Sequence, residues 1–303
     1  MIRVSGMRTL QGYYGKTLLH YLEQPCVSLG SRPSRTYSMT PNMSDPNPAL
    51  AFEGIDNFRD FGGYVTIDGR RIKRGRLFRS AHHASATDRD IAALSELGLH
   101  AVVDLRRPEE RQRNPSRRPA PFHGEVLEND MGGEVEDTYH AFLRTSDLSV
   151  EAMRDFLVDY YRDAPFEARH IDLYRRYFRA LADAEGPVLI HCAAGKDRTG
   201  ILAALTHHLV GVAYEDSMAD YLLTNDPARI ERRLRLFGDY VVELAGRRPS
   251  DEAIRATMGV DARYLDTAFE AIRQRYGSVD AYLEKALSVT TTLRGEIERR
   301  LLD

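Results

Sequence analysis

A chain of 303 residues with 43% hydrophobic and 29% charged side chains can bury one large core or two small ones. Its formal net charge of -3 offers no overall field for nucleic acid or an anionic membrane, so an anionic ligand must be met by local positive charge and nucleic acid is not an expected partner. Two cysteines, Cys26 and Cys192, do not make a disulfide framework, and no run approaches the ~18 apolar residues of a membrane-spanning helix.

Residues 1–45 hold only two carboxylates, Glu23 and Asp45, among scattered Arg, Ser and Pro. A disordered extension over residues 1–49 is the expectation, with a targeting or binding arm as the other reading. Ser38–Pro48 reads as a linker, and one folded domain is expected over residues 50–303. The apolar stretches near the start are short and broken, unlike a secretory signal.

Within the domain, Gly62-Gly63 and Asp68-Gly69 bracket a short extended piece, Tyr64–Ile67, in a hairpin-like pattern. Arg76–Arg79 is a second strand candidate. Thr87-Asp88-Arg89-Asp90 predicts a capped helix start, with Ile91, Leu94 and Leu97 as its apolar stripe and Gly98 at its end. Ala101–Leu105 and Pro187–His191 are short apolar runs suited to buried strands. Between them, Val150–Arg162 and Glu167–Ala184 read as helices. Thr199–Val210 and most of the C-terminal third, including stripes at Leu265, Phe269, Ile272, Tyr276 and at Leu293, Ile297, Leu301, read as helices too. Buried short strands alternating with helices predict an α/β fold around a mainly parallel sheet.

The chemistry is concentrated in His191-Cys192-Ala193-Ala194-Gly195-Lys196-Asp197-Arg198-Thr199-Gly200, which follows a predicted strand and opens a predicted helix. Five residues separate Cys192 from Arg198. A loop this tight points backbone N–H groups at one anion, and the following helix adds its dipole and unpaired N–H groups. Ala193, Ala194 and Gly195 are small enough for close backbone approach, and Arg198 suits bidentate binding of phosphoryl oxygens. An ordinary thiol with a pKa near ~8.5 is only about 3% thiolate at neutral pH, so a nucleophilic cysteine needs such a field around it. Thr199 can donate a hydrogen bond to the thiolate. A plain buried cysteine does not account for Arg, Thr and Gly at these offsets, and a nucleotide-binding P-loop would need Gly and Ser or Thr where Ile190 and Asp197 stand.

The loop resembles the active-site loop of the atypical bacterial tyrosine phosphatases, whose members include dual- and triple-specificity enzymes that also act on phosphoinositides. Asn57-Phe58-Arg59-Asp60 with Gly62-Gly63, Leu77-Phe78-Arg79-Ser80, Asp104-Leu105-Arg106, Asp220-Tyr221-Leu222, Thr224-Asn225-Asp226 and Tyr276-Gly277-Ser278 fit the family in order, so the likeness covers residues 52–303. It implies the tyrosine-phosphatase fold, a phosphocysteine intermediate, and neither metal nor cofactor. Cys192 is then the nucleophile, Arg198 the phosphate clamp and Lys196 an extra positive group for substrates with more than one phosphate, an exposed solvated lysine being the other reading. The general acid stays open between Asp197 and Asp130, the latter in Glu128-Asn129-Asp130-Met131-Gly132-Gly133. Asn57, Arg59 and Asp60 are expected to brace the site, and His191 to support the loop through a backbone hydrogen bond. Asp104 beside Arg106 and Arg107 reads as a structural ion pair. Some family members cover the pocket with a helical lid; residues 137–184 suit one, or plain core helices.

The expected function is hydrolysis of phosphotyrosine, with phosphoserine, phosphothreonine and phosphoinositides also in range. A phosphate-binding pseudophosphatase and a sulfurtransferase are the rivals, and Arg198-Thr199-Gly200 argues against the second. Phosphorylated protein or phosphoinositide is the expected partner. A working thiol favours a reducing compartment, so the cytoplasm is expected, with signal-less export open. Nothing in the sequence sets the oligomeric state.

Overall fold

The computed structural model describes residues 52–132 and 138–303, so the expectation for residues 1–49 and the first residue of the 137–184 segment lie outside the described residues. Five strands form one sheet: β1 (Arg59–Asp60), β2 (Leu77–Ser80), β3 (Ala101–Asp104), β4 (Glu125–Leu127) and β5 (Val188–His191). The order is β1-β2-β5-β3-β4, with β1 antiparallel to β2 and the other pairs parallel. The mainly parallel sheet expected from the sequence is therefore present.

The chain leaves β2, forms α1 (Asp88–Glu96), and returns as β3 on the far side of the position that β5 fills. β5 is thus central, and the crevice beyond its carboxyl end is where open α/β sheets place ligands. Ser80, His191 and Asp104 lie side by side in the last row of the sheet, and Cys192 follows immediately.

The faces of the sheet are set by strand alternation. Phe78, Val102 and Leu189 pack with Leu94 of α1, while Leu77, Val103, Val188 and Ile190 join the main core. That core takes α5 (Ala168–Asp183), through Leu173, Tyr174, Tyr177 and Phe178, and α6 (Asp197–Leu209), which is buried almost all round. Around them lie α4 (Val150–Asp163), α7 (Tyr214–Leu222), α10 (Ala262–Tyr276), α11 (Val279–Lys285) and α12 (Thr291–Leu301). A smaller cluster, Leu143, Leu148, Met153, Val241 and Ala253, joins α3 (Thr138–Thr145), α8 (Pro227–Ala245), α9 (Asp251–Met258) and the start of α4. The α5 half of the 137–184 segment is thus core helix.

Local signals were reliable where they had a mechanism. Thr87 caps α1 with the reciprocal bonds of a capping box, its side chain accepting from Asp90 N and Asp90 accepting from Thr87 N. Tyr64–Ile67 is too short for a regular strand but turns back in the expected hairpin-like pattern, with Val65 opposite Arg71, Ile72 N donating to Tyr64 O at 2.9 Å and Thr66 N to Arg70 O at 2.8 Å. The helix α2 (Pro108–Arg113) has no apolar stripe to announce it, and β4 is three residues long.

Candidate active site

The loop between β5 and α6 is shaped from outside by its carbonyls. Ala193 O accepts from His82 N at 3.2 Å. Asn57 Nδ2 lies 3.3 Å from Ala194 O and 2.8 Å from Gly195 O, and Arg79 Nη2 donates to Gly195 O at 3.0 Å. In a trans peptide the carbonyl and the next N–H point oppositely. Drawing these three carbonyls outward therefore turns the N–H groups of Ala194, Gly195 and Lys196 inward. The start of α6 has no side-chain cap, so its first N–H groups add to the same concavity.

Two residues adopt left-handed backbone to make this possible. Gly195 has φ 66°, and a Cβ there would sit 2.3 Å from Ser80 O, so no other residue fits. Asn57 has φ 56°, a conformation that Asn tolerates better than most residues, and its amide reaches the loop from it.

Cys192 is 1% exposed at the loop's start. Arg198 is held end-on by Glu110, with Nη1 2.5 Å from Oε2 and Nη2 2.8 Å from Oε1, while Nη1 also donates to Leu105 O at 3.2 Å. A guanidinium has five N–H groups. Three are used here, and the two left, on Nε and Nη2, form the side-on fork that matches two phosphoryl oxygens. Burial resists charge on Glu110, but the Arg198 cation overcomes it and holds the carboxyl down to about 2. Glu110 keeps Arg198 charged in return, well above its ordinary range against the pull of burial. Thr199 Oγ1 is buried with no hydrogen-bond partner among the described residues.

The sequence profile of the tyrosine phosphatase family matches residues 50–303. The chain belongs to that family. It is 36% identical over 250 residues to a tyrosine-protein phosphatase of Cupriavidus necator, spanning 81% of this chain and 87% of that protein. It is 33% identical over 262 residues to the triple specificity protein phosphatase PtpB of Mycobacterium tuberculosis, spanning 77% and 92%. A tyrosine-protein phosphatase of Nostoc commune is 28% identical, over 76% of this chain and 75% of that protein. The chain is a phosphatase of the protein-tyrosine-phosphatase type.

In this phosphatase the two acid candidates stand in different settings. Asp197 begins α6 and accepts from Tyr161 Oη at 2.9 Å, which in turn lies 2.7 Å from Tyr221 Oη. Lys196 Nζ lies 3.3 Å from Asp197 and donates to Thr257 O at 2.6 Å and Gly259 O at 3.3 Å. Lys196 is thus buried, not solvated, and its ammonium is tied to the end of α9. Asp130 is exposed and paired with Arg111 at 2.5 Å, one residue along α2 from Glu110.

The supporting residues divide as well. Asn57 and Arg59 touch the loop or its supports, with Arg59 Nη1 2.5 Å from Asn57 Oδ1. Asp60 instead accepts from Gly62 N and Gly75 N, both at 2.7 Å, and organises the turns behind β1. His191 Nδ1 lies 3.4 Å from Cys192 O, its ring stacks on His83, and burial pushes it down to about 4 despite Asp104. Asp104 and Arg106 form the buried pair expected.

Sequence reasoning did not single out Glu110, nor did it assign roles to Arg79 and Asp220. The available signal was a charged residue in an otherwise buried element: Arg79 inside Leu77–Ser80 and Asp220 inside α7 are both buried.

Proposed function

We propose that the chain hydrolyses phosphotyrosine, and also phosphoserine, phosphothreonine and phosphoinositides, through a phosphocysteine intermediate. The observation that carries this reading is the loop itself: its carbonyls are bonded outward, which turns its N–H groups inward, and the Arg198 that ends it keeps a side-on fork unused, on the loop that Cys192 opens. In the first step the Cys192 thiolate attacks phosphorus, the P–O bond to the substrate breaks, and its electrons leave with the substrate oxygen, which takes a proton from an aspartate. In the second, water attacks phosphorus, the P–S bond breaks, and the aspartate receives a proton from the water. Arg198 and the loop N–H groups hold the equatorial oxygens throughout. Asp197 is the preferred acid because it stands on the loop, with Asp130 as second candidate. The Thr199 hydroxyl, buried without a hydrogen-bond partner among the described residues, is assigned to stabilise the departing thiolate.

The breadth of protein substrate follows the relative named as a triple specificity protein phosphatase, which supports phosphorylated protein as the partner; phosphoinositide rests on the resemblance of the loop alone. The phosphatase domain spans residues 50–303. Among the described residues no helix is long and apolar enough to cross a membrane. The need to keep the thiol reduced supports a cytoplasmic location, with signal-less export as the other reading.

The test is phosphate release from an aryl phosphate, then from phosphotyrosine peptides and phosphoinositides, by wild type, Cys192→Ser, Asp197→Asn and Asp130→Asn. Expected is complete loss with Cys192→Ser and a larger loss with Asp197→Asn than with Asp130→Asn. A folded, reduced wild type that binds phosphate without releasing it from any substrate overturns the catalytic reading.

A further inference from the structure

Opposite Glu110, behind the phosphate loop, lies a second charged centre. Arg79 of β2 is fully buried; its Nη2 donates to Gly195 O and its Nη1 to Asp220 Oδ2 at 2.7 Å. Asp220 of α7, also buried, takes Arg59 Nε at 3.1 Å on its other oxygen. Arg59 passes the connection on to Asn57, whose amide reaches the same Gly195 carbonyl. Two guanidinium groups share one carboxylate, so the centre carries a formal charge of +1, with Arg79 and Asp220 buried and Arg59 half-buried. An uncompensated buried charge is costly, and a neighbouring anion is what relieves it.

The groups facing Arg79 are Arg59 from β1, Tyr64 from the turn after it, Asp220 and Tyr221 from α7, His207 from α6, and Cys192. Asp60 behind β1 acts on Asp220, and Asp216 of α7 acts on Tyr64 and His207, from the side away from the loop; on the loop side a Cys192 thiolate or a bound phosphate would supply the negative charge. Burial and the Arg59 charge pull Arg79 down to about 10, which still leaves it charged at neutral pH. Cys192 itself is faced by Arg198 of α6, Tyr160 of α4 and Tyr174 of α5 as well as by Arg79, with His191 next to it in the chain.

We propose that Arg79 is a positioning residue of the phosphate loop with two effects. It fixes the Gly195–Lys196 peptide so that the Lys196 N–H faces the anion, and it places a permanent positive charge behind Cys192, with Asp220 setting the strength of that charge. The proposal rests on the reading of Cys192 as the reactive thiol.

The test uses the full chain and Arg79→Met, Arg79→Lys and Asp220→Asn, each checked for folding by thermal melting. Two quantities are read besides aryl phosphate turnover: the affinity for inorganic phosphate, and the pH profile of Cys192 alkylation by iodoacetamide. With Arg79→Met the alkylation midpoint moves up by about one pH unit and phosphate binds about tenfold more weakly. With Arg79→Lys the charge is kept, so the midpoint stays near wild type while phosphate affinity falls about threefold. With Asp220→Asn the midpoint moves down. Opposite shifts for Arg79→Met and Asp220→Asn are not what a merely structural role produces. A folded Arg79→Met with wild-type midpoint and phosphate affinity overturns the proposal. If Arg79→Met does not fold, an unmoved or raised midpoint in Asp220→Asn overturns it instead. A chain that shows these shifts but releases no phosphate upholds the proposal and defeats the catalytic reading.

Discussion

Two arginine–carboxylate pairs border the loop, and they differ in which edge of the guanidinium the carboxylate takes. Arg106 meets Asp104 side-on, with Nε 2.9 Å from Oδ1 and Nη2 2.6 Å from Oδ2; Nη2 also reaches Ser116 Oγ and Nη1 reaches Asn114 O. Its planar fork is consumed. Arg198 meets Glu110 end-on, and its side-on fork is left over. Both pairs are largely hidden from water, so burial does not separate them. The unused donors do. An arginine paired with a carboxylate has every fork donor engaged at Arg106, as a structural staple does, and a fork left free at Arg198, as the proposed anion clamp requires.

Arg198→Lys breaks the comparison most sharply. A lysine keeps the charge and loses the fork, so kcat/KM for an aryl phosphate is expected to fall about a thousandfold with little change in melting temperature. An equal loss in melting temperature and activity would make Arg198 a second staple. Asp104→Asn is the reverse experiment. It leaves Arg106 buried without its counter-charge, and stability to denaturant is expected to drop by about 3 kcal/mol. Turnover per folded molecule should stay within about threefold of wild type.

Such distinctions are only partly legible in a sequence. The Cys192–Arg198 loop was readable because its parts are contiguous and their offsets follow from loop geometry. The strands bordering it were readable because short apolar runs between glycine and proline have few other uses. Glu110 was not, since Pro108–Arg113 is wholly polar and its contact with Arg198 spans 88 residues. Arg79 and Asp220 stand 141 residues apart, and nothing local pairs them. The alternative of an exposed Lys196 stayed open in the sequence for the same reason: the carbonyls that bury Lys196 belong to Thr257 and Gly259. Long-range polar contacts are set by topology, and a pattern of residues carries topology only coarsely.

The row that joins Asp104 to β5 offers an acid-sensitive probe. Burial holds His191 at about 4 against an unfolded value near 6.5, although Asp104 lies 3.6 Å away and opposes the shift. The unfolded chain therefore binds a proton first as pH falls. Stability from the neutral ring is full above 6.5 and is lost as pH drops from there toward 4. Between about pH 7 and about pH 4.5 the wild type is expected to lose on the order of 2 kcal/mol more than His191→Gln, measured by denaturant titration at both values. Parallel curves would mean that His191 takes up its proton as readily in the folded protein as in the unfolded chain.

Glu110→Gln is the finest cut, because it alters the clamp without touching the anion. A glutamine keeps one acceptor but sets an amide N–H against a guanidinium that needs two, so Arg198 stays in place and loses its fixed plane. The expected cost is about thirtyfold in kcat, with KM for an aryl phosphate moving less than kcat, because the fork must match the equatorial oxygens most closely in the transition state. Acid stability tests the same contact independently. The Glu110 carboxyl sits at about 2 in the folded chain and near 4.5 when unfolded, so its stabilising effect is full above 4.5 and fades as pH falls through 2. The variant should lack that segment of the acid transition. A fall in kcat without the flattened transition would place the role of Glu110 in the reacting complex alone, while the flattened transition without a fall in kcat would make Arg198–Glu110 a staple like Arg106–Asp104.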